Sequence, residues 1–419
     1  MHTAKNLGNY GNKPMTDRLY YHDSFLHAFD ACVLEVRDHE GKSAVVLDRT
    51  AFYPTSGGQV HDTGVFILED ETKVPVLDVS DEEDGTIHHI TAAPLIPGKP
   101  VRGLIDSPRR RDHMQQHSGQ HVLSAAFVRL FDVPTVSFHM GAETCTIDLG
   151  AKLLTPLQIT QAERLANEVV TEDRPVAIRF VPLEEARQMG LRKLPPKQTG
   201  ELRLIDIADF DLTACGGTHV RSTGQIGSIL LRKIENAKQG VRVEFVCGLR
   251  AVDTARQDYN TLAEAAGIYS AHLRDLPEQI RKSIQETKAA GKERQKLLEE
   301  LAGFQASNLL GRAQGTPRIT TAVFPDRDAA FIKLVAQKLT SAGADVVALI
   351  ASGLGQPALV FAQSPGQKWN MGQLLKDAMA QLGGRGGGTA DMAQGGLPSS
   401  TADLSQIEKV LQETAKKLE

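Results

Sequence analysis

Two pairs of metal-ligating side chains constrain this chain more than any other feature. The first pair lies in Arg110-Arg111-Asp112-His113-Met114-Gln115-Gln116-His117-Ser118-Gly119-Gln120-His121. Residues four apart on a helix stand on the same face, so His117 and His121 are stacked one turn apart. The second pair lies in Ala214-Cys215-Gly216-Gly217-Thr218-His219, with the same spacing but inside a Gly-Gly turn. Two histidines with a cysteine and a third histidine form a divalent-metal set, and zinc is the ordinary partner of mixed imidazole and thiolate. A structural zinc, or two ordinary polar helix positions, is the plainer reading of the same letters.

Composition sets the frame for that set. A chain of 419 residues with 41% hydrophobic and 23% charged residues is globular and should hold two or three domains. The formal net charge of -4 argues against a generally basic nucleic-acid binder and leaves only local basic patches for that role. Cys32, Cys145, Cys215 and Cys247 are too scattered for a disulfide framework. No apolar run of about 18 residues offers a membrane span, and the N-terminus lacks an apolar signal region. These features together imply a reduced, cytoplasmic protein in which Cys215 is available as a thiolate.

Along the chain, residues 1–18 read as a polar tail. Residues 19–106 carry short strands at hairpin spacing, each bounded by Gly, Pro or Asp, and suggest a small glycine-rich β-barrel. Within it, Thr50-Ala-Phe-Tyr-Pro-Thr-Ser-Gly57-Gly58-Gln59-Val-His-Asp62-Thr-Gly64 offers a hydroxyl, an amide and a carboxylate around two glycines. That stretch is either a ligand-approach loop or a barrel corner. Residues 107–131 are helical, and their start carries Arg109, Arg110 and Arg111, which are either phosphate contacts or a solvated face. Residues 107–250 read as an α+β domain with a largely antiparallel sheet. Residues 251–308 form a helical arm interrupted at Pro277, either a coiled-coil dimerisation element or a solvated linker. Residues 309–419 alternate β-α-β-β-α, a small α/β domain. It contains Gly383-Gly384-Arg385-Gly386-Gly387-Gly388, a flexible linker or, the reading we favour, an anion cradle with Arg385 as its cation.

These motifs, in this order, resemble the alanyl-tRNA editing proteins of the long AlaX type, and the editing and C-terminal domains of alanyl-tRNA synthetase. The resemblance is carried by the Thr50–Gly64 motif, the His117/His121 helix, Cys215–His219 and the Gly383–Gly388 stretch, from about residue 19 to the end. The histidine and cysteine motifs also occur in some threonyl-tRNA synthetases; the two glycine-rich stretches favour the alanine system. The resemblance implies an α+β multidomain protein: barrel, zinc-bearing editing domain, helical arm and tRNA-binding-like C-terminal domain. It implies a trans-editing esterase that deacylates mischarged tRNA(Ala), chiefly the seryl and secondarily the glycyl ester. Its alternative is a non-catalytic tRNA-binding protein with a structural zinc. There is no room before residue 19 for an aminoacylation core, so no charging activity is expected. The C-terminal domain also accompanies DHH-type phosphoesterases, but the nearest text to their motif is Asp112-His113-Met114, so that activity is unsupported.

The implied site residues follow from the same resemblance. Zn2+ would sit among His117, His121, Cys215 and His219, with His219 the candidate for a weak, substrate-displaced ligand. Thr50 would recognise the seryl hydroxyl, and Gln59 would orient substrate or water. Gly57, Gly58, Arg109, Arg110, Arg242, Gly384, Arg385, Gly386 and Gly387 would contact tRNA or substrate, although a strand arginine such as Arg242 equally suits an ion pair. The expected partner is tRNA(Ala), with no membrane, and a homodimer through the arm or C-terminal domain is open.

Overall fold

A computed structural model describes residues 16–39, 41–192, 200–238, 240–398 and 403–419. Most of the expected tail, residues 1–15, lies outside the described residues. The chain divides into two compact units, residues 1–264 and 265–419.

In the first unit, six strands close a barrel: β1 (Ala28–His39), β2 (Lys42–Leu47), β3 (Gly64–Ile67), β4 (Lys73–Asp81), β5 (Ile87–Thr91) and β6 (Pro100–Ile105), in the order β1-β2-β5-β4-β3-β6. Side chains alternate sides along a strand, so β6 buries Val101, Gly103 and Ile105 and exposes the residues between. Phe29, Val45, Leu47, Phe52, Phe66 and Val76 fill the interior.

Helix α1 (Ser107–Phe131) follows at once. Asp106 caps it by accepting from the Arg109 amide, and Pro108 occupies its first turn, where a missing N–H costs nothing. Sequence periodicity predicts one apolar stripe; instead nearly every residue from His113 to Phe127 is buried. The helix runs through the interior of the unit, so its polar side chains must find partners inside. Around it lie β7 (Thr135–Met140), β8 (Cys145–Leu149), α2 (Pro156–Thr171), β9 (Val176–Pro182), β10 (Glu201–Ile207), β11 (Asp211–Ala214), β12 (Ile229–Ala237) and β13 (Gly240–Cys247). They form two antiparallel sheets, β12-β13-β8-β7 and β9-β10-β11. Leu123, Phe127, Ile147, Ala162, Val243 and Phe245 are among the residues of the shared core. Helix α3 (Gly248–Ile268) closes the unit and runs into the next.

The second unit contains α4 (Leu276–Arg312), with Pro277 in its first turn, so of the two helices or kink that Pro277 predicts the structure has two helices, α3 and α4. Then come β14 (Arg318–Phe324), α5 (Ala329–Ser341), β15 (Val346–Ser352), β16 (Ala358–Gln363), α6 (Met371–Gln381), β17 (Arg385–Gly388), β18 (Met392–Gly396) and α7 (Leu404–Lys416). The sheet order is β14-β15-β16-β18-β17, with β14 and β15 parallel across the α5 crossover. Val346, Ala348 and Ile350 face α5, while Val347, Leu349 and Ala351 face α6 and α7. Both faces are covered, which explains the unbroken apolar run of β15.

The glycine stretch is corrected here. It is neither a linker nor an open cradle but the hairpin β17–β18, with Gly386 opposite Gly395. A Cβ on Gly386 would lie 2.6 Å from the Gly395 Cα, and one on Gly384 2.6 Å from the Met379 Cε. The glycines let the two strands and α6 approach. The N-terminal amides of α6 are spoken for, since Met371 donates to the Ala390 carbonyl (2.9 Å) and Gly372 to that of Thr389 (3.1 Å). Arg385 remains as an exposed cation.

Candidate metal centre

The four residues singled out by spacing converge. His117 and His121 project from α1, and Cys215 and His219 from the loop after β11. Their ligand atoms all lie within 4.8 Å of one another. The Cys215 Sγ is 3.4 Å from Nε2 of His117 and 3.4 Å from Nε2 of His219. Zinc bonds of about 2.3 Å to sulfur and about 2.0–2.1 Å to nitrogen at tetrahedral angles separate such a pair by roughly 3.5 Å. The donor set and its spacing therefore fit zinc. The Gly-Gly turn is required by crowding, because a Cβ on Gly217 would collide with the His117 ring.

The far side of each imidazole is also engaged. His117 Nδ1 meets Gln59 Oε1 at 2.8 Å, His219 Nδ1 meets Ser118 Oγ at 3.1 Å, and His121 Nδ1 lies 3.4 Å from Asp211 Oδ2. The last contact is an ion-pair distance without hydrogen-bond geometry, since His121 Nδ1 has no directed partner. Partners of this kind set the tautomer and turn Nε2 toward a metal. Burial opposes ionisation of the Cys215 thiol, but the His117 and His219 imidazoles outweigh it and hold it well below its ordinary value. Burial pushes His219 down to about 3. Burial also acts against the charged form of His121, yet the Asp211 carboxylate and Cys215 raise it.

A cleft of about 470 Å3 opens on this cluster. His117, His121 and Cys215 form its floor, with Gly57, Gln120, Thr135, Val136, Phe138, Arg192 and Thr213 among its walls. The Phe138 ring stacks on His117 at 5.4 Å. Two threonine hydroxyls stand there: Thr135 Oγ1 donates to Ser124 Oγ (2.7 Å), and Thr213 Oγ1 donates to Asp211 (3.1 Å).

Several expected site residues fall elsewhere. Thr50 is fully buried, with its Oγ1 2.8 Å from His89 Nε2 and accepting from the Phe52 amide. It belongs to the barrel core and does not reach the cleft. Gln59 is also fully buried; it orients His117 rather than substrate or water, and its Nε2 donates to Thr218 Oγ1 at 2.8 Å. His219 is the candidate ligand that does not line the cleft, and Ser24 Oγ accepts from its amide, so it is poorly placed to yield to substrate. Gly57 does line the cleft. Gly58 docks the barrel loop on β7, its carbonyl accepting from the Met140 amide at 2.9 Å, and a Cβ there would lie 2.5 Å from the Phe138 carbonyl.

The arginines divide likewise. Arg110 has no exposure and cannot touch phosphate; it is ion-paired with Asp62 and donates to the carbonyls of Ser24 (2.8 Å) and Ala51 (2.6 Å). Arg242 makes the two-pronged ion pair with Asp148 (2.7 and 2.9 Å) that suits a strand arginine. Arg109 is half-buried and donates to the His61 carbonyl at 3.2 Å. Sequence reasoning missed Thr135, Arg192, Asp211 and Thr213. Period two along β11 into the loop puts Asp211, Thr213 and Cys215 on one face, a signal that could have found two of them. Thr135 and Arg192 carry no local signal.

With this geometry in place, the relatives of the chain can be compared. Residues 202–244 match the family described as the threonyl and alanyl tRNA synthetase second additional domain. Residues 4–109 match tRNA synthetases class II (A), and residues 317–419 match the DHHA1 domain. The alanine–tRNA ligases of Methanoculleus marisnigri and Pyrococcus abyssi are 32% and 33% identical over 95% of this chain, which spans only 43% and 44% of their length. The C-Ala domain of Aquifex aeolicus alanyl-tRNA synthetase aligns over 25% of this chain and 97% of its own, with 25% identity and a TM-score of 0.22. The alanyl-tRNA editing protein AlaX-L of Pyrococcus horikoshii is 31% identical over 404 residues, covering 94% of this chain and 97% of that protein. The chain therefore belongs to the AlaX-L family of alanyl-tRNA editing proteins.

Proposed function

We propose that this chain hydrolyses, in trans and in the cytoplasm, the ester joining a wrong amino acid to tRNA(Ala), with serine the chief misfit and glycine the second. Family membership supports the reaction class. The observation that carries the site is a cleft floored by three candidate ligands and walled by two threonine hydroxyls. Zinc held by His117, His121, Cys215 and His219 would supply Lewis-acid polarisation or a hold on the substrate's amino group. The protein's own groups do the rest. Gln59 and Ser118 keep the His117 and His219 imidazoles oriented, Asp211 lies at ion-pair distance from His121, and Phe138 and Val136 give the cleft an apolar wall. Thr135 and Thr213 donate their protons inward, so their lone pairs can accept from a seryl hydroxyl. An alanyl ester leaves those acceptors unpaired, which penalises it. Arg109 and Arg385 are the cations we assign to the tRNA backbone.

The test is release of amino acid from Ser-, Gly- and Ala-tRNA(Ala) by the purified protein, with and without a chelator. Seryl release that spares alanine and stops on chelation is expected. No seryl release from metal-loaded protein sinks the proposal. One observation favours a second reading: four protein ligands close a tetrahedral zinc, as structural sites do. Tight tRNA binding without turnover would support that reading.

A further inference from the structure

Arg203 stands outside every motif, yet it holds the metal loop at Cys215. It lies on β10 and is 8% exposed. Its main-chain carbonyl accepts from the Cys215 amide at 3.1 Å, and its Nη1 donates to the Cys215 carbonyl at 2.6 Å. One residue thus grips both polar groups of the Cys215 backbone. Its Nε donates to the Tyr21 carbonyl at 2.8 Å, and its guanidinium lies over the Tyr21 ring at 5.5 Å. Burying a guanidinium is costly unless it is well bonded, and here the bonds go to carbonyls rather than to a carboxylate. Nη2 is buried without a partner. Among the described residues no carboxylate pairs with Arg203, so its side chain is committed to the Cys215 and Tyr21 carbonyls.

We infer that Arg203 is a positioning residue for the metal centre, clamping the Cys215 peptide so that the Cys215 Sγ stays in the ligand set. It touches neither substrate nor metal and acts through Cys215. The three histidines do not depend on it in this way: His117 and His121 are fixed by α1, and His219 by Ser24 and Ser118. Loss of Arg203 therefore selects against the sulfur ligand and shifts the site toward three imidazoles. This inference rests on the four residues holding a divalent metal, and not on the editing reaction.

Cobalt(II) reports the sulfur ligand through its thiolate-to-metal charge-transfer absorption. Full-length protein and the variants Arg203→Gln and Arg203→Lys would be titrated with Co2+ against a chelator while that band is recorded. We expect Arg203→Gln to weaken cobalt binding by about 10–100-fold, the usual effect of losing a residue that supports a ligand. Its charge-transfer band should weaken more than its ligand-field bands. Arg203→Lys keeps a donor for the Cys215 carbonyl but not the bridge to Tyr21, and should fall between that variant and the parent. A folded Arg203→Gln protein with parental affinity and band overturns the inference. Should that variant not fold, parental affinity and band in Arg203→Lys overturn it instead. Failure of the parent protein to bind cobalt refutes the metal reading itself, which separates the two failures.

Discussion

At the scale of single residues, Thr50 is fully buried in the barrel. Thr50 spends its hydroxyl on His89, whose Nδ1 lies 3.0 Å from the Val45 carbonyl. Burial pushes His89 down to about 4 from its ordinary 6.5. A group held neutral by the fold contributes stability above its unfolded value, and that contribution is lost as pH falls toward the folded value. The window is therefore about pH 6.5 down to about 4, and the full effect is on the order of 3 kcal/mol. Urea unfolding at pH 7 and pH 4.5 should show this loss, and His89→Gln should flatten it. An equal pH slope in that variant would remove His89 from the account. Residue types and i, i+4 spacing made the four candidate ligands legible, because a metal demands few side-chain types and a helix fixes their face. Neither clue says that Gln59 turns its amide to His117 rather than to a substrate.

At the scale of elements, α1 matters most. Its sequence predicts a helix with one apolar stripe and a basic start, and the helix is there. What the pattern hides is that the helix passes through the interior, so Arg110 becomes a buried tie between α1, the barrel loop at Asp62 and the carbonyls of Ser24 and Ala51. Removing one partner of such a pair leaves the other charged and buried. Arg110→Ala should therefore destabilise the first unit by about 3–5 kcal/mol, read by urea unfolding. A cost within about 0.5 kcal/mol, as for a solvated surface charge, would contradict the tie. The hairpin β17–β18 makes the same point. Glycines invite a reading as linker or anion cradle, but here they allow two strands and a helix to approach.

At the scale of the whole molecule, the two units have separate cores, and all four candidate ligands fall in the first. Among the described residues no helix is long and apolar enough to cross a membrane. A protein ending at residue 268, after α3, should keep its metal and its maximal deacylation rate to within a few-fold. Its KM for mischarged tRNA should rise by on the order of tenfold or more, equivalent to about 1.4 kcal/mol of lost binding. An unchanged KM would take the second unit out of tRNA recognition; loss of metal would mean that the units are not independent. The sequence by itself determined the barrel strands, the long helix, the closing α/β alternation and the four candidate ligands. Period two, period 3.6 and i, i+4 spacing are local rules that a chain cannot obey by accident for long. Only the tertiary structure decided which polar residues face the cleft. Thr50, Gln59, Arg110 and Arg242 found partners as distant in sequence as Thr218 from Gln59 and Asp148 from Arg242. A hydrogen-bond partner far along the chain leaves no periodic trace in the letters on either side.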